Sequence, residues 1–208
     1  MGEAVLRCAT PADVAAMAAA EEASWPAELA STAEQIAARI DVFPAGQLVA
    51  DLDGQVSGAV YAQRLTAEFF AACPKTYDAL TDHGRFTRTH TDDGEIYHMI
   101  GVSVLPEARG GGLGRLLVDR QIKIGQAMPG VRRSLGITRP VRYHRHRELL
   151  IEDYVHLRDD LGAWIDPVLD FHFQAGARLI AIYPGYRPED QQTLRYGVLI
   201  EYDAPYNH

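Results

Sequence analysis

The feature that most constrains this chain is the stretch Glu107-Ala108-Arg109-Gly110-Gly111-Gly112-Leu113-Gly114, with four glycines in five positions. No regular element runs through it, because each glycine costs about 0.5–1 kcal/mol relative to alanine inside a helix or strand. Its flanks are ordered. Gly94 to Val104, rich in Ile, Tyr and Val, reads as a strand that ends at Leu105-Pro106. Beyond the glycines, Leu113, Leu116, Leu117 and Ile124 fall on one helical stripe at about 100° per residue. A strand, a glycine turn and a helix start suit an anion: backbone N–H groups converge unobstructed, and the helix dipole adds about half a positive charge. Spacing excludes two common phosphate loops. Gly-x-Gly-x-x-Gly fails, because its last position is Arg115 counted from Gly110 and Leu117 counted from Gly112. No Gly-Lys-Ser/Thr follows for a Walker loop either.

The remaining elements alternate around this unit. Ala4 to Leu6 opens a short strand, and Thr10-Pro11 caps an Ala-rich helix to about Ala23. Ser31-Thr32-Ala33-Glu34 has the form of a capping box for a helix to about Ile40. Gly46–Asp51 and Gln55–Leu65, split by Asp51-Leu52-Asp53-Gly54, read as an antiparallel hairpin. Residues 66–93 read as a partly helical cover, Ser134–Thr138 as a strand, and Leu149–Arg158 and Asp166–Gly176 as helices. Arg178–Tyr183 and Thr193–Tyr202 read as closing strands. At 208 residues a single domain spanning 1–208 is expected, since domains run to about 100–200 residues.

Charge and cysteines narrow the function. A net charge of −8 disfavours nucleic acid and anionic lipid as partners of the whole surface. Between Glu107 and Arg158, however, eleven basic side chains face five acidic ones, so the glycine unit begins a positive segment suited to a small polyanion. The longest apolar run, Val14 to Ala20, is far short of the ~18 residues of a membrane span. No secretory or myristoylation signal is read at the N-terminus, and a cytoplasmic protein is expected. Cys8 and Cys73 give no disulfide framework, and no metal site is expected: His144 and His146 have no third ligand and are flanked by arginines.

The segment Arg109-Gly110-Gly111-Gly112-Leu113-Gly114 matches Arg-x-x-Gly-x-Gly, and with the strand Gly101-Val102-Ser103-Val104 before it resembles the coenzyme A site of the GNAT acyltransferase superfamily. The element order is similar from Leu6 to Tyr202. The resemblance implies a mixed α/β (α+β) fold: a central, mostly antiparallel twisted sheet, splayed after the fourth strand and flanked by helices. It implies that Arg109, Gly110, Gly111, Gly112, Leu113, Gly114 and Arg115 cradle the pyrophosphate of a coenzyme A thioester. Val102, Ser103 and Val104 would pair with its pantetheine arm.

GNAT amine acetyltransferases commonly carry a tyrosine acid four residues before a glycine on the late helix. Here His172 precedes Gly176 by four. With Thr138 at the end of Gly136-Ile137-Thr138 and Arg187 in Pro184-Gly185-Tyr186-Arg187-Pro188, the chain resembles the GNAT-like loading domains of polyketide synthases of the curacin and gephyronic acid kind. That subfamily implies decarboxylation of a malonyl-type thioester by Thr138 and His172, substrate contacts from Arg187 and Trp25, and an acyl carrier protein as partner. No Asp-Ser-Leu carrier site is seen in the chain, so a carrier is expected on a separate chain or elsewhere in a longer one. Arg132, Arg133, Arg139, Arg142, Arg145 and Arg147 are candidates to receive an acidic carrier. An imidazole suits proton delivery because its ordinary pKa of about 6.5 keeps both forms accessible near neutrality. Two other readings fit the same residues: an amine N-acetyltransferase with His172 as acid and Glu95 as base through water, and a coenzyme A-binding module without chemistry.

Overall fold

Two aspartates and a glycine fix the first hairpin. Asp53 and Gly54 both have positive φ, 54° and 85°, the two-residue turn that matches strand twist, and the Asp51 carboxylate accepts the Gly54 N–H. They join β2 (Leu48–Leu52) to β3 (Gln55–Leu65) in a computed structural model that describes residues 4–203. Before them come β1 (Ala4–Cys8), α1 (Val14–Ser24) and α2 (Ala33–Val42). After them come α3 (Ala67–Ala72), α4 (Tyr77–Thr81), β4 (Ile96–Val104), α5 (Leu113–Ala127), β5 (Arg133–Thr138), α6 (Ile151–Tyr154), α7 (Pro167–Gln174), β6 (Ala177–Tyr183) and β7 (Gly197–Tyr202).

The strands form one seven-stranded sheet in the order β1-β2-β3-β4-β5-β7-β6, antiparallel except for the β4–β5 pair. That pair is brief. Ile96 to Met99 lie opposite Arg133 to Gly136, and beyond them the two strands part. β4 continues along β3 past a bulge, for Tyr61 pairs with Gly101 and Ala62 with Met99, leaving Ile100 extra. The mixed α/β sheet is thus splayed after its fourth strand, as the resemblance implied. On one face, Met17, Ile36 and Ile40 of α1 and α2 pack on Val49, Ala59 and Tyr61. On the other, Leu113 and Leu117 of α5 pack on Leu48, Ala50 and Val60. No helix among the described residues is long and apolar enough to cross a membrane, and both cysteines are free.

Several boundaries depart from the sequence reading, each for a tertiary reason. The capping box of α2 is Thr32 with Gln35, not Ser31 with Glu34. Ser31 is turned inward, where Glu21 accepts its N–H at 3.0 Å and its hydroxyl accepts from Arg39 at 3.0 Å. On α5 the buried face runs through Leu113, Leu117, Val118, Gln121, Ile122 and Gly125, while Leu116 is 49% exposed. The helix expected over 149–158 is a single turn, α6, because Tyr154 Oη is drawn to Asp166 at 2.7 Å and the chain then folds back through an Arg158–Trp164 bridge. β7 begins at Gly197 rather than Thr193, because Leu194 and Arg195 take positive φ in a turn that Asp190 holds by accepting the Thr193 N–H.

Candidate active site

The parting of β4 and β5 leaves a cavity of about 590 Å³, walled by both strands, the glycine loop, the start of α5, α7 and the end of β7. Its glycine end is built for an anion. Gly110 and Gly112 have φ of 82° and 80°, where any other residue is strained, and Gly112 is the N-cap of α5. The first helical bond is Leu116 N–H to Gly112 at 3.0 Å. The N–H groups of Leu113, Gly114 and Arg115 therefore precede the ladder and face the cavity end. Arg109 lines the same end, yet its guanidinium braces the loop, donating to the carbonyls of Val104 (2.9 Å) and Ala23 (3.1 Å). Arg115 is held by Asp119 (2.6 Å) and the Gln174 carbonyl (2.7 Å). Gly111 is not part of the cavity wall.

Strand alternation sorts the three β4 residues. Leu105 N–H bonds to Ser57, so the main-chain groups of Val102 and Val104 point away from β3, toward the gap. Those of Val104 are taken, since Ser24 Oγ accepts its N–H (3.2 Å) and donates to its carbonyl (3.1 Å). Val102 thus presents the strand edge that faces the cavity. Ser103 points its side chain to the other face of the sheet: it accepts Trp25 Nε1–H at 2.9 Å and donates to the buried Glu21 carboxylate.

His172 and Thr138, 34 residues apart, both line the cavity. Asp166 caps α7 by accepting the N–H groups of Val168 and Leu169, and with Pro167 in the first turn it sets the helix that carries His172. Thr138 is buried at the last rung of β5, opposite Val198. His172 Nδ1 lies 2.6 Å from Tyr202 Oη. Burial pushes the imidazole down to about 4, so it is neutral at neutral pH. This corrects the expectation of an imidazole poised near 6.5: burial against Phe171 and Tyr202 costs it the charged form.

Trp25 lies against Gly101, where a Cβ would sit 3.3 Å from its ring. Two guanidinium groups approach it, Arg139 at 5.3 Å and Arg187 at 5.8 Å from the ring centroid. Arg139 lines the cavity and is paired in two bonds (2.6 and 2.9 Å) with Asp190, whose carboxyl burial pushes up but whose bonds to Arg139 hold below its usual range. Arg187 is 7% exposed, lies 3.5 Å above the Tyr77 ring and donates to the Leu29 carbonyl, with no carboxylate of the described residues bonded to it. It stands behind Trp25 rather than in the cavity wall.

No Asp or Glu is among the described residues that form the wall, whereas Arg109, Arg115 and Arg139 are. Glu95 lies before β4, at the end far from Val102, and takes no part. Among the described residues no group of acids, histidines or cysteines is arranged to hold a metal. Arg139 was read in sequence only as a candidate to receive a carrier, and Tyr202 was missed: it reaches the site through the register that pairs β7 with β5, and no local spacing announces that.

The comparisons with known proteins agree with this fold. The Acetyltransferase (GNAT) family matches residues 14–148. The "Uncharacterized N-acetyltransferase YkwB" of Bacillus subtilis is 31% identical over 86% of this chain and 77% of its own length. The loading GNATL domain of CurA from Lyngbya majuscula is 28% identical with a TM-score of 0.86, covering 97% of this chain and 98% of that one. The GphF GNAT-like decarboxylase, solved with isobutyryl-CoA, is 32% identical with a TM-score of 0.82, covering 95% and 98%. A matched region that runs from α1 through the glycine loop to β5, on a sheet that opens after its fourth strand, places this chain in the GNAT acetyltransferase family.

Proposed function

We propose that this protein is a GNAT-like decarboxylase of malonyl-type coenzyme A thioesters (malonyl, methylmalonyl or dimethylmalonyl), making a starter acyl thioester for polyketide biosynthesis and passing it to an acyl carrier protein thiol. The observation that carries the reading is a cavity lined by both Thr138 and an uncharged imidazole, to whose wall the described residues contribute arginines and no carboxylate. Such a wall does not repel an anionic acyl group and offers no carboxylate to deprotonate an amine. Support comes from GphF, which bears the decarboxylase description and an acyl-CoA ligand.

The glycine-loop amides and the Val102 edge fit the phosphates and the amide-bearing arm of coenzyme A. Loss of CO2 leaves an enolate whose charge rests on the thioester oxygen, and a preorganised N–H donor to it is worth about 10²–10³ in rate. Thr138 and the His172 N–H hold the carboxylate so that its breaking C–C bond aligns with the carbonyl π system. The electron pair of that bond becomes the enolate, CO2 departs, and carbon takes one proton, drawn ultimately from solvent. Arg187, behind Trp25, adds positive potential without a competing carboxylate.

The test is incubation with malonyl-, methylmalonyl- and dimethylmalonyl-CoA and mass analysis of the thioesters. Loss of one CO2, abolished in His172→Ala while ligand binding persists, is expected. Consumption of acetyl-CoA only with an amine present would replace this reading with N-acetyl transfer, and binding without turnover would leave a coenzyme A-binding module.

A further inference from the structure

Tyr202 is the last residue of β7, 2% exposed, with its ring 6.3 Å from that of His172 and its hydroxyl on Nδ1 at 2.6 Å. Two facts of chemistry orient that bond. A phenol is a much stronger acid than a neutral imidazole N–H, and the unprotonated imidazole nitrogen is a much better acceptor than a phenol oxygen. Burial also pushes the Tyr202 hydroxyl upward, so it keeps its proton. Tyr202 therefore donates and Nδ1 accepts, and the proton an imidazole must carry sits on Nε2. His172 lines the cavity, and with Nδ1 committed, Nε2 is the nitrogen left for a ligand.

We propose that Tyr202 is a positioning residue: its hydroxyl selects the Nε2–H tautomer of His172, so the imidazole meets an acyl thioester as a neutral donor of fixed orientation. What the donor acts on rests on the decarboxylase reading; the tautomer does not. The device differs from an acid that must be charged to work. A neutral N–H hydrogen-bonds a carboxylate and then the enolate oxygen without losing its proton, and its aim is set by a strand across the sheet rather than by α7.

The test uses the full chain labelled with ¹⁵N. Long-range ¹H–¹⁵N spectra of the ligand-free protein at neutral pH, with His172 assigned by its absence in His172→Gln, should show Nε2 protonated and Nδ1 bare. In Tyr202→Phe the two tautomers should mix, kcat on the malonyl-type thioester should fall about tenfold or more, and KM should stay within about twofold, since an imidazole held in the wrong tautomer loses catalysis rather than binding. A native Nδ1–H tautomer overturns the proposal, as does a Tyr202→Phe protein with unchanged tautomer or unchanged kcat. Should that variant fail to fold, the native spectrum decides alone. Should no thioester be decarboxylated, the spectra still decide the tautomer while the functional reading falls.

Discussion

Acid titration of His172 tests the site most directly. Its folded-state value is pushed from 6.5 down to about 4 by burial, so the folded protein refuses a proton that the unfolded chain accepts below about 6.5. The unfolded state then binds more protons, and stability is lost as pH falls through 6.5, the loss ceasing below about 4. Between pH 7 and pH 4.5 this one group accounts for about 2 kcal/mol, taking about 1.4 kcal/mol per pH unit. Urea titrations at the two pH values, on the native protein and on His172→Gln, should differ in their pH-dependent loss by about that much. Because kcat/KM reports the free enzyme, its profile for a malonyl-type thioester should be flat from about pH 8 to 5 and fall only toward 4. A limb of unit slope near 6.5 in the native profile, or equal acid sensitivity of the two proteins in urea, would refute the reasoning.

Ser103→Ala strips a partner from both Trp25 Nε1–H and the buried Glu21 carboxylate. At about 1–3 kcal/mol per stranded group the melting temperature should drop by roughly 5–20 °C, and an unchanged thermal melt would contradict the network. Arg187→Leu removes a buried guanidinium without stranding a carboxylate, so stability should stay within about 2 kcal/mol while kcat/KM for a malonyl-type thioester falls more than about tenfold. Equal activity on native and variant protein would take Arg187 out of substrate recognition. Reversing the exposed Arg142, Arg145 and Arg147 to Glu should weaken acyl transfer to a carrier and spare turnover of the free coenzyme A thioester; parallel loss of both would remove the carrier role.

What was legible in the sequence was local. Gly110 and Gly112, both at positive φ, declare a turn, and His172 stands near the end of one short helix, four residues before Gly176, so both are readable within a few residues. Whatever depended on distant partners was not. Ser31 lost its cap to Thr32 because Glu21 and Arg39 claim it. Two of the six candidate carrier arginines are already neutralised, Arg133 by Glu201 and Arg139 by Asp190, across 68 and 51 positions of chain. His172 was legible as a residue and illegible as an acid, since its proton affinity is set by burial where α7 and β7 bring Phe171 and Tyr202 against the ring.

Ser24 carries a consequence of its own. By occupying both main-chain groups of Val104 it leaves Val102 as a single rung at the open side of β4. An amide-bearing arm that docks there has one register, because the next rung, about 7 Å along, is already closed. With its phosphates anchored at the start of α5 and its amide at that rung, such an arm is gauged at two points, and the reach of its sulfur is decided by the protein rather than by diffusion within the cleft.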